Sequence, residues 1–252
     1  MNDKKFQDLK NALKGKYLSL IGDSITTYDG FSNVNVNNST VYTGEKGNPT
    51  YPYCDVQRVE QTYWRLLLDD TGMKLLVNNS IGGSRAFGEE TDGYATCNFR
   101  CVNLHADTGE LKGTEPDVII IYIGINDVGY TAENVDFPGV LTETEEDFGY
   151  GYGKTLAKIK ERYKNSDVFV MDLPAPDNPA YLPERLASFN ATIRKFAKKE
   201  NFNLISLSGS VADDGKNLTC DTLHPNAKGM DKYRTVIEDA FYKRYCKQNI
   251  IE

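Results

Sequence analysis

The sequence predicts a three-layer α/β/α fold around a five-stranded parallel sheet, and three observations carry that reading. Five short apolar runs, at 17–21, 74–77, 118–123, 168–171 and 203–207, are spaced through the chain. Most of them lack polar/apolar alternation, which is the pattern of strands covered on both faces. Between them lie stretches with helical apolar spacing, so strand and helix alternate as they do in doubly wound sheets.

Taken in order, the first run, Tyr17-Leu18-Ser19-Leu20-Ile21, ends against Gly22-Asp23-Ser24. A helical spacing follows over 61–70, with Gly72 close behind as a stop. The second run leads into Asn78-Asn79-Ser80-Ile81-Gly82-Gly83-Ser84, and the third into Gly124-Ile125-Asn126-Asp127. Longer helices are expected over 143–164 and 184–201, and another over 226–248 closes the chain. The expected strand order is 2-1-3-4-5, that of flavodoxin-like sheets. Two stretches break the rhythm: 28–60, rich in Asn, Gly, Thr and Tyr with Pro49 and Pro52, and 84–115, within which 97–105 can hold a short helix. Irregular loops of this length are usually functional walls or lids. No repeat, low-complexity tract or linker divides the chain, so 1–252 reads as a single domain.

A chain of 252 residues can bury a substantial core. Its net charge of -7 and pI near 5.1 argue against a nucleic-acid partner, which calls for a basic patch to neutralise phosphates. No run approaches the ~18 apolar residues of a membrane span, so no membrane partner is expected. Cys54, Cys97, Cys101, Cys220 and Cys246 are odd in number and scattered, and read as reduced thiols rather than a disulfide framework. Residues 1–16 are polar and Lys-rich, without the apolar core of an export signal. That points to a cytoplasmic protein, or to a secreted one if the numbered chain begins inside a longer precursor.

Chemistry concentrates where strands end. Only two histidines occur, and His224 follows Asp221 by three positions in Asp221-Thr222-Leu223-His224-Pro225. An imidazole can take and return a proton near neutral pH, and an Asp on the same turn can orient its ring. Ser24 lies just past the first strand, where open α/β sheets bind ligands. On its own it reads equally as a helix cap. The Gly82-Gly83 pair after the second strand lets backbone N–H groups approach a ligand, and the Asn126 amide after the third can donate to the same oxyanion. Taken singly, each of these reads as an ordinary turn.

The four signals stand in order at equivalent places, and together the chain resembles the SGNH hydrolase superfamily, also called GDSL esterases/lipases. The resemblance rests on Gly22-Asp23-Ser24, Asn78 through Gly83, Gly124-Ile125-Asn126-Asp127 and Asp221-x-x-His224-Pro225. It implies Ser24 as nucleophile, His224 as base and Asp221 as its orienter. The implied oxyanion hole combines the N–H of Ser24, the N–H of Gly83, with Gly82 its nearest competitor, and the Asn126 side chain. Gly-Asp-Ser-Ile stands where the family has Gly-Asp-Ser-Leu, a swap between branched aliphatics that preserves packing.

The expected activity is serine esterase action on short acyl esters, O-acetyl groups of carbohydrates foremost, with a small-molecule or carbohydrate ester as the partner and no cofactor. A lysophospholipase or acyl-thioesterase is the enzymatic alternative, and a carbohydrate-binding module that kept the fold is the non-catalytic one. Cys97, Cys101 and His105 fall at four-residue intervals and, with Cys54, invite a zinc site, but the spacing matches no familiar pattern and no metal is expected. Tyr28, Phe31, Tyr42, Tyr51, Tyr53, Tyr63 and Trp64 read as loop packing before they read as a sugar-binding wall. Glu143, Glu145, Glu146 and Asp147 read as the acidic first turn of a helix.

Overall fold

The structure is a computed structural model, and it describes residues 3–31, 42, 54–88, 97–129, 145–178, 181–210 and 217–247. In chain order the elements are α1 (Asp3–Leu13), β1 (Tyr17–Gly22), α2 (Tyr63–Thr71), β2 (Lys74–Asn78), α3 (Cys97–Arg100), β3 (Val118–Tyr122), α4 (Ile125–Gly129), α5 (Glu145–Arg162), β4 (Asp167–Met171), α6 (Pro183–Glu200), β5 (Asn203–Ile205) and α7 (Ala227–Tyr245). Two 3-10 turns, Ser24–Thr26 and Val59–Gln61, complete the series.

All four strand pairings are parallel, in the order β2-β1-β3-β4-β5. The reason is visible in β3, where Val118, Ile119, Ile120, Ile121 and Tyr122 are all buried, so neither face of the sheet can be left to solvent. Each fully buried aliphatic there is worth about 1.5–3 kcal/mol relative to exposure. The covering helices fall into two groups. One is α1, α2 and α7, which pack on one another; the other is α5 with α6, joined by the short α3 and α4. Helix ends obey local rules: the Thr62 hydroxyl accepts from Arg65 N at the start of α2, and Gly72, at φ +71°, closes it in the left-handed conformation.

Register places the functional ends. Gly22, at the end of β1, stands beside Tyr122 at the end of β3, and Leu20 pairs with Asn78 at the end of β2. Three adjacent strands therefore release their chains at one edge of the sheet.

Departures from the sequence reading have identifiable causes. Helix α1 was not expected from a Lys-rich stretch, yet it buries Leu9 and Leu13 against α2 and α7. Strand β5 stops at Ile205 rather than 207, because the backbone turns away to serve a buried carboxylate. Asp172 accepts from Ser208 N at 2.8 Å and from Ser206 Oγ at 3.1 Å. The helix allowed over 97–105 is a single turn, Cys97–Arg100. Asn126, read in isolation as a turn residue, lies in the first turn of α4. The expected start of the fifth helix at 143 lies outside the described residues.

One buried acid makes stability depend on pH. Burial and the neighbouring Asp70 carboxylate push Glu238, on α7, up to about 7 from its ordinary 4.5, against the pull of Arg234. A carboxyl that holds its proton more tightly when folded stabilises the fold fully below about 4.5, and that contribution is lost as pH rises through about 7. Urea titrations between pH 4 and 8 are expected to show less loss of stability for Glu238→Gln than for the parent. Equal slopes would overturn the assignment.

Candidate active site

The turn that carries Ser24 is built from the residues around it. Strand β1 ends at Gly22, where any Cβ would lie 2.7 Å from Thr26 Cβ, so only glycine lets the turn fold back this tightly. Asp23 then caps the 3-10 turn: its Oδ1 accepts from Ile25 N at 3.0 Å, and its own carbonyl accepts from Thr26 N. Thr27 Oγ donates to Ser24 O at 2.7 Å, and Asn78 Nδ2, from the end of β2, donates to Thr26 O at 2.9 Å. The hydroxyl is thus presented by a fixed backbone, with Ser24 itself only 7% exposed.

Asp221 and His224 arrive on a hairpin closed by the bridge between Thr219 and Pro225 and by Cys220 N donating to His224 O at 2.9 Å. Asp221 accepts three times from its own turn, from Leu223 N at 3.1 Å, His224 N at 2.6 Å and His224 Nδ1 at 2.6 Å. An ionised carboxylate can only accept, so the ring proton sits on Nδ1 and Nε2 faces the serine as an acceptor. His224 Nε2 lies 2.8 Å from Ser24 Oγ. Burial works against the Asp221 charge, but the ring and the two backbone N–H groups outweigh it and hold its carboxyl below the ordinary value. A hydroxyl, an imidazole and a carboxylate stand in series, and such a series can move the seryl proton onto the ring as Oγ attacks a carbonyl.

The hairpin is held from outside as well. Tyr42, wholly buried, donates to Pro225 O at 3.0 Å and sets its ring edge-on to the His224 ring, with centroids 6.4 Å apart. Asp55 Oδ1 accepts from Ala227 N at 2.7 Å, and the thiols of Cys54 and Cys220 lie 2.8 Å apart.

The loops after β2 and β3 supply donors. Asn79 N donates to Leu20 O at 2.9 Å and Ile81 N to Gly22 O at 3.2 Å, which keeps the chain alongside the end of β1. Gly83 then takes φ +73°, with open space where a Cβ would be. Asn126 Nδ2 donates to Ser84 O at 2.9 Å, and its second N–H has no acceptor among the described residues. Asp127, wholly buried, accepts from Ala86 N at 3.0 Å and Phe87 N at 3.3 Å. Gly83 and Asn126 are therefore joined through Ser84 into one wall beside the end of β1.

Behind that wall lies a residue the sequence reading passed over. Arg100 is buried, and its guanidinium donates to Gly22 O at 2.8 Å, to Ser84 Oγ at 2.5 Å and to Asn79 O. Asn79 Nδ2 answers by donating to Arg100 O at 2.9 Å. Asp23 sits in the same buried region with Oδ2 unpaired among the described residues, and burial pushes its carboxyl up to about 7, against the pull of Ile25 N–H and Arg100. Nothing in the sequence marks Arg100, since it stands in an irregular stretch where solvent exposure is the ordinary expectation for a guanidinium, and the packing expected of Tyr42 did not reveal its contact with the His224 hairpin.

The remaining candidates disperse. Cys97 lies against the Arg100 guanidinium, Cys101 Sγ donates to Asn98 O and His105 Nδ1 meets Tyr163 Oη at 3.2 Å. Among the described residues no three Cys, His, Asp or Glu side chains are grouped to hold a metal. Tyr28, Tyr42, Tyr63 and Trp64 are buried, so they pack rather than form a wall for a sugar; among the described residues of this group only Phe31 is exposed, at 44%. Tyr51, Tyr53 and Glu143 lie outside the described residues.

A hydroxyl, an imidazole and a carboxylate in series at the carboxyl edge of a parallel sheet form an arrangement suited to hydrolysis. The chain belongs to the GDSL-like lipase/acylhydrolase family, whose model matches residues 20–232, and it is a carboxylic ester hydrolase. Its fold is similar to that of a GDSL-like lipase structure from Bacteroides ovatus, with 24% identity, 91% of this chain and 99% of that one covered, and a TM-score of 0.62. A carbohydrate esterase family 2 enzyme with a carbohydrate-binding domain, from Corynascus thermopiles (Myceliophthora fergusii), is similar at 16% identity over 91% of this chain and 66% of that one, TM-score 0.61. A catalytic mutant of an acetylxylan esterase from Geobacillus stearothermophilus is similar at 18% identity over 91% and 95%, TM-score 0.60. No curated protein matches the chain by sequence.

Thr222 sits between Asp221 and His224 with φ +72°, a left-handed conformation that β-branched residues rarely adopt. Asparagine tolerates it. Thr222→Asn is expected to raise stability by about 0.5–1 kcal/mol, seen as a Tm increase of roughly 1–4 °C. A fall in Tm would show that the bond from Asn178 Nδ2 to Thr222 Oγ1 outweighs the strain.

Proposed function

We propose that this enzyme hydrolyses short acyl esters, O-acetyl groups of carbohydrates foremost, through an acyl-enzyme on Ser24. The observation that carries the proposal is the series from Ser24 Oγ to His224 Nε2 at 2.8 Å and from His224 Nδ1 to Asp221 Oδ2 at 2.6 Å. His224 takes the seryl proton as Oγ attacks the carbonyl carbon. The tetrahedral oxyanion is held by the N–H groups of Ser24 and Gly83 and by the Asn126 amide. As the intermediate collapses, His224 returns the proton to the leaving alcohol; water, deprotonated by the same ring, then releases the acid.

A short acyl group suits the small apolar recess of ≈ 20 Å³ that Ile25, Ile125, Leu223 and Pro225 line together with Tyr122, Pro174 and Tyr233; the first four are chain neighbours of proposed site residues, and Ser24, His224 and Asn126 themselves do not line it. One water needs roughly 10–15 Å³ on that measure. The carbohydrate leaving group is supported by the likeness to the carbohydrate esterase family 2 enzyme and the acetylxylan esterase, whose chains carry the same fold.

Ser24→Ala is expected to lower kcat on p-nitrophenyl acetate by at least about 10⁴-fold with Tm and circular dichroism unchanged. Turnover retained by that variant would remove Ser24 from the reaction. A panel of p-nitrophenyl acetate and octanoate, acetylated xylan and acetylated monosaccharides should show the highest kcat/KM on acetyl esters. Preference for octanoate would replace the acetyl reading with a lysophospholipase or thioesterase one.

A further inference from the structure

We propose that Arg100 is a positioning residue for the oxyanion hole, setting Gly83 and Asn126 against Ser24 from behind the site without touching substrate. The proposal rests on the reading of Gly83 and Asn126 as oxyanion donors. Three facts of geometry lead to it.

First, the guanidinium spans two of the loops that make the hole. Its donors reach Gly22 O, two residues before Ser24, and Asn79 O and Ser84 Oγ at either end of the segment that contains Gly83. A planar fork of five N–H groups can bridge divergent acceptors in this way; an ammonium on a flexible stem cannot hold them in one plane. Second, the link continues to the third loop. Ser84 receives Arg100 on its hydroxyl and Asn126 on its carbonyl, the latter at 2.9 Å, so the side-chain donor is aimed by a residue that Arg100 itself anchors. Third, the anchor is reciprocal and buried. Asn79 Nδ2 donates to Arg100 O at 2.9 Å while Arg100 donates to Asn79 O, and Arg100 is only 6% exposed.

Burying a guanidinium is costly, and a fold that needed only apolar packing here would fill the space with a hydrophobic side chain at lower cost. What the charge provides instead is a set of strong, directional bonds to two carbonyls and a hydroxyl on separate loops. Because a misplacement of about 1 Å in a catalytic group can cost ~10²-fold in rate, fixing these loops is a kinetic matter as well as a structural one.

The test uses Arg100→Lys, Arg100→Gln and Ser84→Ala in the full chain, with Asn126→Ala and the remote core variant Leu9→Ala as references. Turnover of p-nitrophenyl acetate and inhibition by phenylboronic acid, which forms a tetrahedral adduct on a serine, are measured well below each Tm. Both Arg100 variants are expected to lose about 10–100-fold in kcat with KM within twofold, and to bind the boronate more weakly by a similar factor. Ser84→Ala is expected to lose a smaller factor of the same kind, and it decides the matter if the Arg100 variants fail to fold. Leu9→Ala should lower Tm without changing kcat, which separates positioning from loss of stability. If Asn126→Ala loses activity while Ser84→Ala and the folded Arg100 variants do not, the positioning role is wrong and the oxyanion reading stands. If Asn126→Ala is fully active, the oxyanion reading itself fails and the role of Arg100 fails with it.

Discussion

Parallel pairing of β1 with β2 on one side and β3 on the other is the constraint on which this molecule's chemistry depends. A parallel strand hands its chain to the same edge as its neighbours, so three successive crossings deliver Ser24, the 79–84 loop and α4 to one place. The apolar residues of β3 are enclosed on both faces, which suits the strand to the middle of a sheet covered by helices on either side. The site therefore inherits its dimensions from hydrophobic burial in β3, about 100 residues before its last component, His224, which must come back to meet it.

The cost of gathering strand ends is an accumulation of polar groups out of water. Asp23, Asn78, Asn79, Ser80, Ser84, Arg100, Asn126 and Asp127 are all buried in this region. Leaving one such donor or acceptor unmatched costs about 1–3 kcal/mol, and hydrogen bonds join the loops, although Asp23 Oδ2, Asn78 Oδ1 and Ser80 Oγ have no partner among the described residues. The bonds that are made hold the region in place. Stability and preorganisation are then two descriptions of one set of bonds.

What the sequence makes legible follows from where burial dominates. Short apolar runs, most of them without alternation, marked all five strands, and the order 2-1-3-4-5 was expected of a doubly wound sheet; the structure has both. Local spacing also marked Asp221 and His224, because a carboxylate and an imidazole three residues apart can meet within one turn. Other features were hidden for physical reasons. In α1, Lys4, Lys5 and Lys10 obscured the Phe6, Leu9 and Leu13 spacing. Strand β5 is shortened by a side-chain acceptor, Asp172, that pattern alone does not connect to Ser206 and Ser208. Arg100 was invisible because its partners are backbone carbonyls, which every sequence possesses; only the folded path of the 79–84 loop brings them within reach.

The closed hairpin of Thr219–Pro225 has a consequence for how activity appears as the chain folds. Asp221 and His224 are neighbours in sequence, so their hydrogen bond needs only a short loop to close and can form early. The contact between Ser24 and His224 spans 200 residues and needs the sheet, α7 and Tyr42 to be in place. The acid and its imidazole are an assembled part waiting for a site, and recovery of ester hydrolysis during refolding marks completion of the topology, after helix content and core burial have returned.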